Sequence, residues 1–226
     1  MARVDRDGLI VAAPDGLRGG DGKPGWDDCR RDARTNPPVD DVGLIGAIID
    51  RAVAEFHADP ARVYLIGMSN GGMMTFRAAI ELGSRLAAFA TIGASMAADS
   101  LCPAPTHPLP ALVIAGSADP LVPYAGGAIG HGHRGTVIGV EASVEVWRRL
   151  DGLPETPDRV EPLPHRDGAD ATRATRTVWG SDPDGLQVEL LRIDGGGHVE
   201  PSIARRVGRL WRRFVGAQNG DVETVD

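Results

Sequence analysis

Three side chains in this sequence have the types and the order needed for nucleophilic acyl transfer. Ser69 lies in Gly67-Met68-Ser69-Asn70-Gly71-Gly72, Asp119 in Ser117-Ala118-Asp119-Pro120, and His198 at the end of Gly195-Gly196-Gly197-His198. A serine hydroxyl is a weak nucleophile on its own. It needs a neighbouring imidazole to take its proton, and the imidazole needs a carboxylate to fix its tautomer. The pattern G-x-S-x-G supplies the first of these groups with a defined geometry. Glycines on either side of the serine allow a sharp turn and a close strand–helix approach, which leaves the hydroxyl exposed above the sheet. The backbone N–H of Asn70, at the start of the following helix, would then face a developing oxyanion.

The elements needed to position these groups can be read around them. The apolar run Val63-Tyr64-Leu65-Ile66 predicts a strand before Ser69, and Met73–Leu82 an amphipathic helix after it. Leu112-Val113-Ile114-Ala115 predicts a buried strand that delivers Asp119 just past its end, and Val188–Ile193 predicts one that leads to His198. Three strands thus each present one group from a loop at the carboxyl end, in the chain order serine, aspartate, histidine. That is the order of the α/β-hydrolases.

The remaining pattern alternates strands and helices, which predicts an α/β fold: a mostly parallel sheet with helices on both faces, in one domain over residues 1–226. Leu9–Ala13 reads as a buried strand stopped by Pro14-Asp15-Gly16, and Leu17–Pro38 as a long loop at the site mouth. Asp40 or Asp41 is placed to cap a helix carrying Val42, Ile45, Ile48, Ile49, Ala52, Val53 and Phe56. Further strands are predicted at Phe89–Ala94 and Ala111–Ala115, a helix at Glu141–Leu150, and a hairpin from Thr175–Trp179 and Leu186–Ile193. A terminal helix, Ile203–Val215, is expected to turn Val207, Leu210, Trp211 and Phe214 inward, followed by a frayed polar tail, Gly216–Asp226.

Composition narrows the function classes. A net charge of −7 over 226 residues, without a basic stripe, argues against nucleic acid or an anionic membrane as partner. Lys23 is the only lysine. The longest apolar stretch, Leu86–Ala98, is too short to span a bilayer, and the polar start Met1-Ala2-Arg3-Val4-Asp5-Arg6 is not a signal peptide. Cys29 and Cys102 stand outside any metal-binding spacing, and both one disulfide and two free thiols fit the sequence. His131 and His133 form an H-x-H pair with no third ligand at suitable spacing and read as loop, so no metal site is expected. Trp26 and Met68 are the candidate substrate-contacting residues, Trp26 as a stacking surface and Met68 beside the acyl pocket.

Taken as a set, several segments resemble the esterase/poly(3-hydroxybutyrate) depolymerase family, which includes feruloyl esterases. They are Asp5-Arg6-Asp7-Gly8-Leu9-Ile10-Val11, Pro14-Asp15-Gly16, Asp40-Asp41-Val42, Gly67-Met68-Ser69-Asn70-Gly71-Gly72-Met73-Met74, Ser117-Ala118-Asp119-Pro120-Leu121-Val122-Pro123-Tyr124 and Gly195-Gly196-Gly197-His198. The resemblance implies an α/β-hydrolase with Ser69, Asp119 and His198 as its catalytic residues and no cofactor. It further implies a hydroxyalkanoate, feruloyl or acetyl ester as substrate, small or polymeric, and an extracellular location; without a signal peptide a cytoplasmic one stays open. The family's first strand, which ends in a His-Gly turn and supplies a second oxyanion donor, has no counterpart here. The expectation is a chain incomplete at its N-terminus, with that strand missing between Leu9–Ala13 and Val63–Ile66. Two other functions fit the same order of residues: a prolyl-oligopeptidase-type peptidase, and a hydrolase fold that has become a binding module.

Overall fold

The structure is a computed structural model that describes residues 8–130, 133–166, 171–182 and 184–224. Asp5, Arg6 and Asp7 of the family-like segment and His131 of the H-x-H pair lie outside the described residues. In chain order the elements are β1 (Leu17–Arg18), β2 (Pro24–Gly25), α1 (Asp41–Phe56), β3 (Tyr64–Met68), α2 (Asn70–Glu81), β4 (Ala88–Ile92), β5 (Ala111–Gly116), β6 (Gly127–Ala128), β7 (Thr136–Val137), α3 (Val140–Leu150), β8 (Arg159–Pro162), β9 (Arg173–Trp179), β10 (Val188–Asp194) and α4 (Arg209–Val215).

The main sheet has the order β3-β4-β5-β10-β9-β8. Pairing is parallel from β3 through β4 and β5 to β10, and antiparallel from β10 to β9 and β8. The sheet is therefore mixed. The hairpin of β9 and β10 matches the sequence pattern, whereas β8 lies in a polar segment with no strand signal and forms as an antiparallel edge that only one neighbour needs to match.

Period-two alternation divides the sheet into two unlike faces. Phe89, Ala111, Val113, Ala115, Val188 and Leu190 point to one face, where they meet Ile45 and Ile49 of α1, Met73, Met74 and Phe76 of α2, and Val144 and Trp147 of α3. Phe89 sits between Phe76 and Trp147, with ring centroids 5.7 and 4.7 Å away in edge-on geometry. The opposite face carries the smaller cluster Ile92, Ile114, Ala174, Leu191 and Ile193, covered by Leu163 and Val222. The expectation of helices on both faces is corrected here: the three long helices share one face, and loop and tail residues cover the other.

Three sequence readings are corrected with it. Leu9–Ala13 forms no strand, and Leu9, Ile10 and Val11 are exposed, because no strand among the described residues offers them a ladder. The terminal helix covers only Arg209–Val215, and Leu210, Trp211 and Phe214 face solvent; Val215 alone in that helix is buried. Gly208 starts the helix in extended geometry and separates it from Val207. The tail is not frayed over residues 216–224, the part of it among the described residues. Ala217 bridges Gly196, and Gln218, Asn219 and Asp221 are buried, with Asn219 Nδ2 donating to Thr172 Oγ1 at 2.9 Å. Polar side chains with a full set of partners can be buried where apolar ones are absent, so polarity alone misreads this segment.

The helix starts follow the sequence reading more closely. Asp40 caps α1 by accepting from the Gly43 N–H at 2.8 Å. Asp151, just after α3, accepts from the Leu109 N–H through Oδ1, while its buried Oδ2 has no partner. Burial pushes this carboxyl up from 3.8 to about 6, against the opposing pull of the Leu109 N–H. The folded state then holds a proton that the unfolded chain has already released, so the favourable contribution is complete below pH 3.8 and fades as the pH rises through about 6. Asp151→Asn keeps the acceptor for Leu109 and removes the charge. Its melting temperature relative to the parent protein should rise between pH 4 and pH 8, and a pH-independent difference would contradict this account.

Cys29 and Cys102 are joined in a disulfide, with Cα atoms 5.3 Å apart at a sequence separation of 73. The bridge is flanked by backbone bonds in which the Leu101 N–H donates to the Cys29 carbonyl and the Arg31 N–H to the Asp99 carbonyl. Closing a loop of this length contributes about 4 kcal/mol in the chain-entropy model. Replacing both cysteines by alanine is expected to cost about 2–4 kcal/mol in denaturant unfolding. A loss below about 0.5 kcal/mol would show that the loop is held by its hydrogen bonds alone.

Candidate active site

β3 ends at Met68 and α2 begins at Asn70, so Ser69 alone makes the turn between them. Its backbone is at φ 56° and ψ −125°, a region costly for a residue with a side chain. Two neighbouring glycines make the turn sterically feasible. A Cβ on Gly67 would stand 2.2 Å from the Gly71 carbonyl oxygen, and one on Gly72 would stand 2.6 Å from Ala94 Cβ. The strain thus resides at the serine itself, and the glycines serve close packing.

Ser69 is joined to the other two groups expected from the sequence. His198 Nε2 is 2.8 Å from Ser69 Oγ, and His198 Nδ1 is 2.7 Å from Asp119 Oδ2. The Asp119 carboxylate is 2 % exposed, and its Oδ1 accepts from the backbone N–H groups of Leu121 and Val122, each at 2.8 Å. An ionised carboxylate can only accept, so Nδ1 must carry the proton and Nε2 presents its lone pair to the serine O–H. The loop bearing His198 is held from behind by bonds from Gly197 N to Ala217 O and from His198 N to Val215 O. The chain end that reads as frayed in sequence therefore anchors the histidine.

Gly93 was not visible as a functional position. It follows β4 with φ +56°, and a Cβ there would lie 3.2 Å from His198 Nδ1 and 3.6 Å from Asp119 Oδ2. Its signal in the sequence is a lone glycine after a strand, which also marks ordinary turns. Gly93→Ala should lower kcat by roughly tenfold, since a Cβ at this positive φ is strained and the imidazole must give way by a few tenths of an ångström. Retention of more than half the parent kcat would show that the ring can yield without loss.

The backbone N–H of Asn70 opens α2, where the first N–H groups have no intrahelical partner, so it is available to an anion beside Ser69. The Asn70 side chain has a separate role that the motif does not reveal. Its Oδ1 accepts from Trp26 N at 2.6 Å and its Nδ2 donates to Asp28 Oδ2 at 2.7 Å, tying the long loop to the turn. Asp28 also pairs with Arg30 inside the protein, with side-chain exposures of 0 % and 4 %.

The cleft at Ser69 has a volume of about 70 Å³ and is lined in part by Gly25, Arg30, Asn36, Met73, Val122 and Ile129. Neither Trp26 nor Met68 is among the residues that line it. Trp26 packs against the main core, and Met68 projects from the edge strand β3, 37 % exposed, on the face that carries Ile92. Among the described residues no three or more histidine, cysteine or acidic side chains cluster as a metal site. Among the same residues no helix is long and apolar enough to cross a membrane.

No family model matches the chain. Comparison with individual proteins is informative. NocK of Nocardia uniformis subsp. tsuyamanensis, which is named as an esterase, is 32% identical over 209 residues, 88% of this chain. The chain is thus similar in sequence to a protein named as an esterase. The bifunctional acetylxylan esterase/xylanase XynS20E of Neocallimastix patriciarum is 29% identical over 89% of this chain, and feruloyl esterase B of Piromyces equi 29% over 86%. The matched region spans 59% of NocK, 26% of XynS20E and 34% of the feruloyl esterase. Among solved structures, the acetyl xylan esterase from Aspergillus awamori superposes with a TM-score of 0.51 at 15% identity, over 85% of this chain and 73% of that one. That likeness shows a shared fold for the mixed sheet and its helices.

Proposed function

We propose that the protein is a serine carboxylester hydrolase working through an acyl-enzyme, with Ser69 as nucleophile, His198 as general base and then acid, and Asp119 as the group that orients it. The observation that carries this reading is the continuous hydrogen-bond chain from Ser69 Oγ through the His198 ring to Asp119. In the first half-reaction the Ser69 oxygen attacks the ester carbonyl while Nε2 takes its proton. The Asn70 N–H at the head of α2 receives the oxyanion. Collapse of that intermediate expels the alcohol, which leaves with the proton held by His198. Water, deprotonated by the same nitrogen, then releases the acid and restores Ser69. None of these steps requires a metal or an organic cofactor.

The substrate is proposed to be a small or polymeric ester of the acetyl, feruloyl or hydroxyalkanoate type. The named activities of the acetylxylan esterase and feruloyl esterase relatives support the first two. The test is turnover of p-nitrophenyl acetate and butyrate beside an aminoacyl p-nitroanilide. Ester turnover with little anilide cleavage is expected; the reverse preference would favour a peptidase, and turnover of neither would contradict the proposal.

A further inference from the structure

We infer that the Ser69 cleft is built for an ester carrying a free carboxylate, received by Lys23 and Asn36; this rests on the hydrolase reading of Ser69. The chain has a net charge of −7 and a single lysine, yet that lysine lines the cleft together with Arg30 and Arg134, against one acidic lining residue, Asp21. The lining therefore carries three cations to one anion, opposite in sign to the protein as a whole.

The pairing of these groups shows which charge is available. Arg30 is buried and neutralised by Asp28, with a further bond from its guanidinium to the Arg134 carbonyl. Asp21 is engaged twice: Oδ2 with the Arg134 guanidinium at 2.6 Å, and Oδ1 with the backbone N–H of Lys23 at 3.0 Å. The Lys23 ammonium has no acidic partner among the described residues. Asn36 adds an independent indication, because its side-chain Nδ2 is buried in the cleft wall without a hydrogen-bond partner. A buried donor without a partner is costly, and a carboxylate oxygen would satisfy it. An ammonium and an orphaned amide donor in the wall of one small cleft match a carboxylate. A neutral ester tail would leave the amide donor unsatisfied and the ammonium with water alone.

The geometry leaves two places for the carboxylate, on the acyl chain or on the alcohol, and both are tested. kcat/KM is measured at low salt for p-nitrophenyl butyrate against p-nitrophenyl hemiglutarate, and for ethyl acetate against O-acetylglycolate. We expect one anionic ester to exceed its neutral counterpart by at least tenfold. In Lys23→Glu, which alters an exposed turn residue, that ratio should fall below one; an unchanged ratio would overturn the inference. A second readout does not depend on turnover. Amine acetylation followed by mass spectrometry reports on Lys23 as the only lysine, and glutarate, but not glutaramide, should slow its modification several-fold. Protection without turnover of any ester would support the anion site and refute the hydrolase reading. Turnover without anionic preference and without protection would refute the anion site alone.

Discussion

Ser69→Ala is expected to lower ester kcat by about 10⁴-fold or more, because the nucleophile, the base and its orienting group act as one unit. The fold should be unaffected. The hydroxyl bonds only to His198 among the contacts described above, and alanine meets the same backbone cost at φ 56° as serine does. Ser69→Gly separates catalysis from strain. It should be equally inactive, yet more stable than Ser69→Ala by about 1 kcal/mol, since glycine adopts positive φ without steric cost. Turnover of Ser69→Ala within tenfold of the parent would remove this serine from the reaction. Equal stability of the two variants would show that the turn is unstrained.

Asp119→Asn should be nearly as damaging to kcat, by about 10⁴-fold, with little change in KM. Oδ1 of the new asparagine would still accept from Leu121 and Val122, so its amide nitrogen would take the place of Oδ2 and face His198 Nδ1. That nitrogen donates, which forces Nδ1 to accept and moves the ring proton to Nε2. The imidazole could then no longer take the serine proton. A loss smaller than tenfold would mean that the imidazole does not depend on this carboxylate for its tautomer.

The places of Ser69, Asp119 and His198 just beyond three strands were more legible than the scaffold around them. Ser69, Asp119 and His198 were readable because each lies just beyond a buried apolar run, and such runs are constrained by the sheet whatever the loops do. The same constraint made β3, β4, β5 and β10 visible. Elements that depend on long-range partners were not. Among the described residues Leu9–Ala13 has strand composition and no neighbour to pair with, and Leu210, Trp211 and Phe214 have helical spacing without a surface to cover. Conversely, β8 and the buried Gln218–Asp221 segment have polar composition and are held by hydrogen bonds that spacing does not reveal. Gly93 shows the limit most clearly. Its role comes from His198, more than a hundred residues away in sequence, and no local pattern encodes that proximity. The Cys29–Cys102 pairing was open for the same reason, since sequence does not give the distance between Cα atoms.

The central claim is that Ser69 is an activated nucleophile. Reaction of the protein with a fluorophosphonate, followed by peptide mass spectrometry, tests it most directly. The account predicts a single phosphonylated peptide modified at Ser69, with labelling abolished in His198→Ala and in Ser69→Ala. Labelling elsewhere, or labelling of Ser69 that persists undiminished without His198, would contradict it.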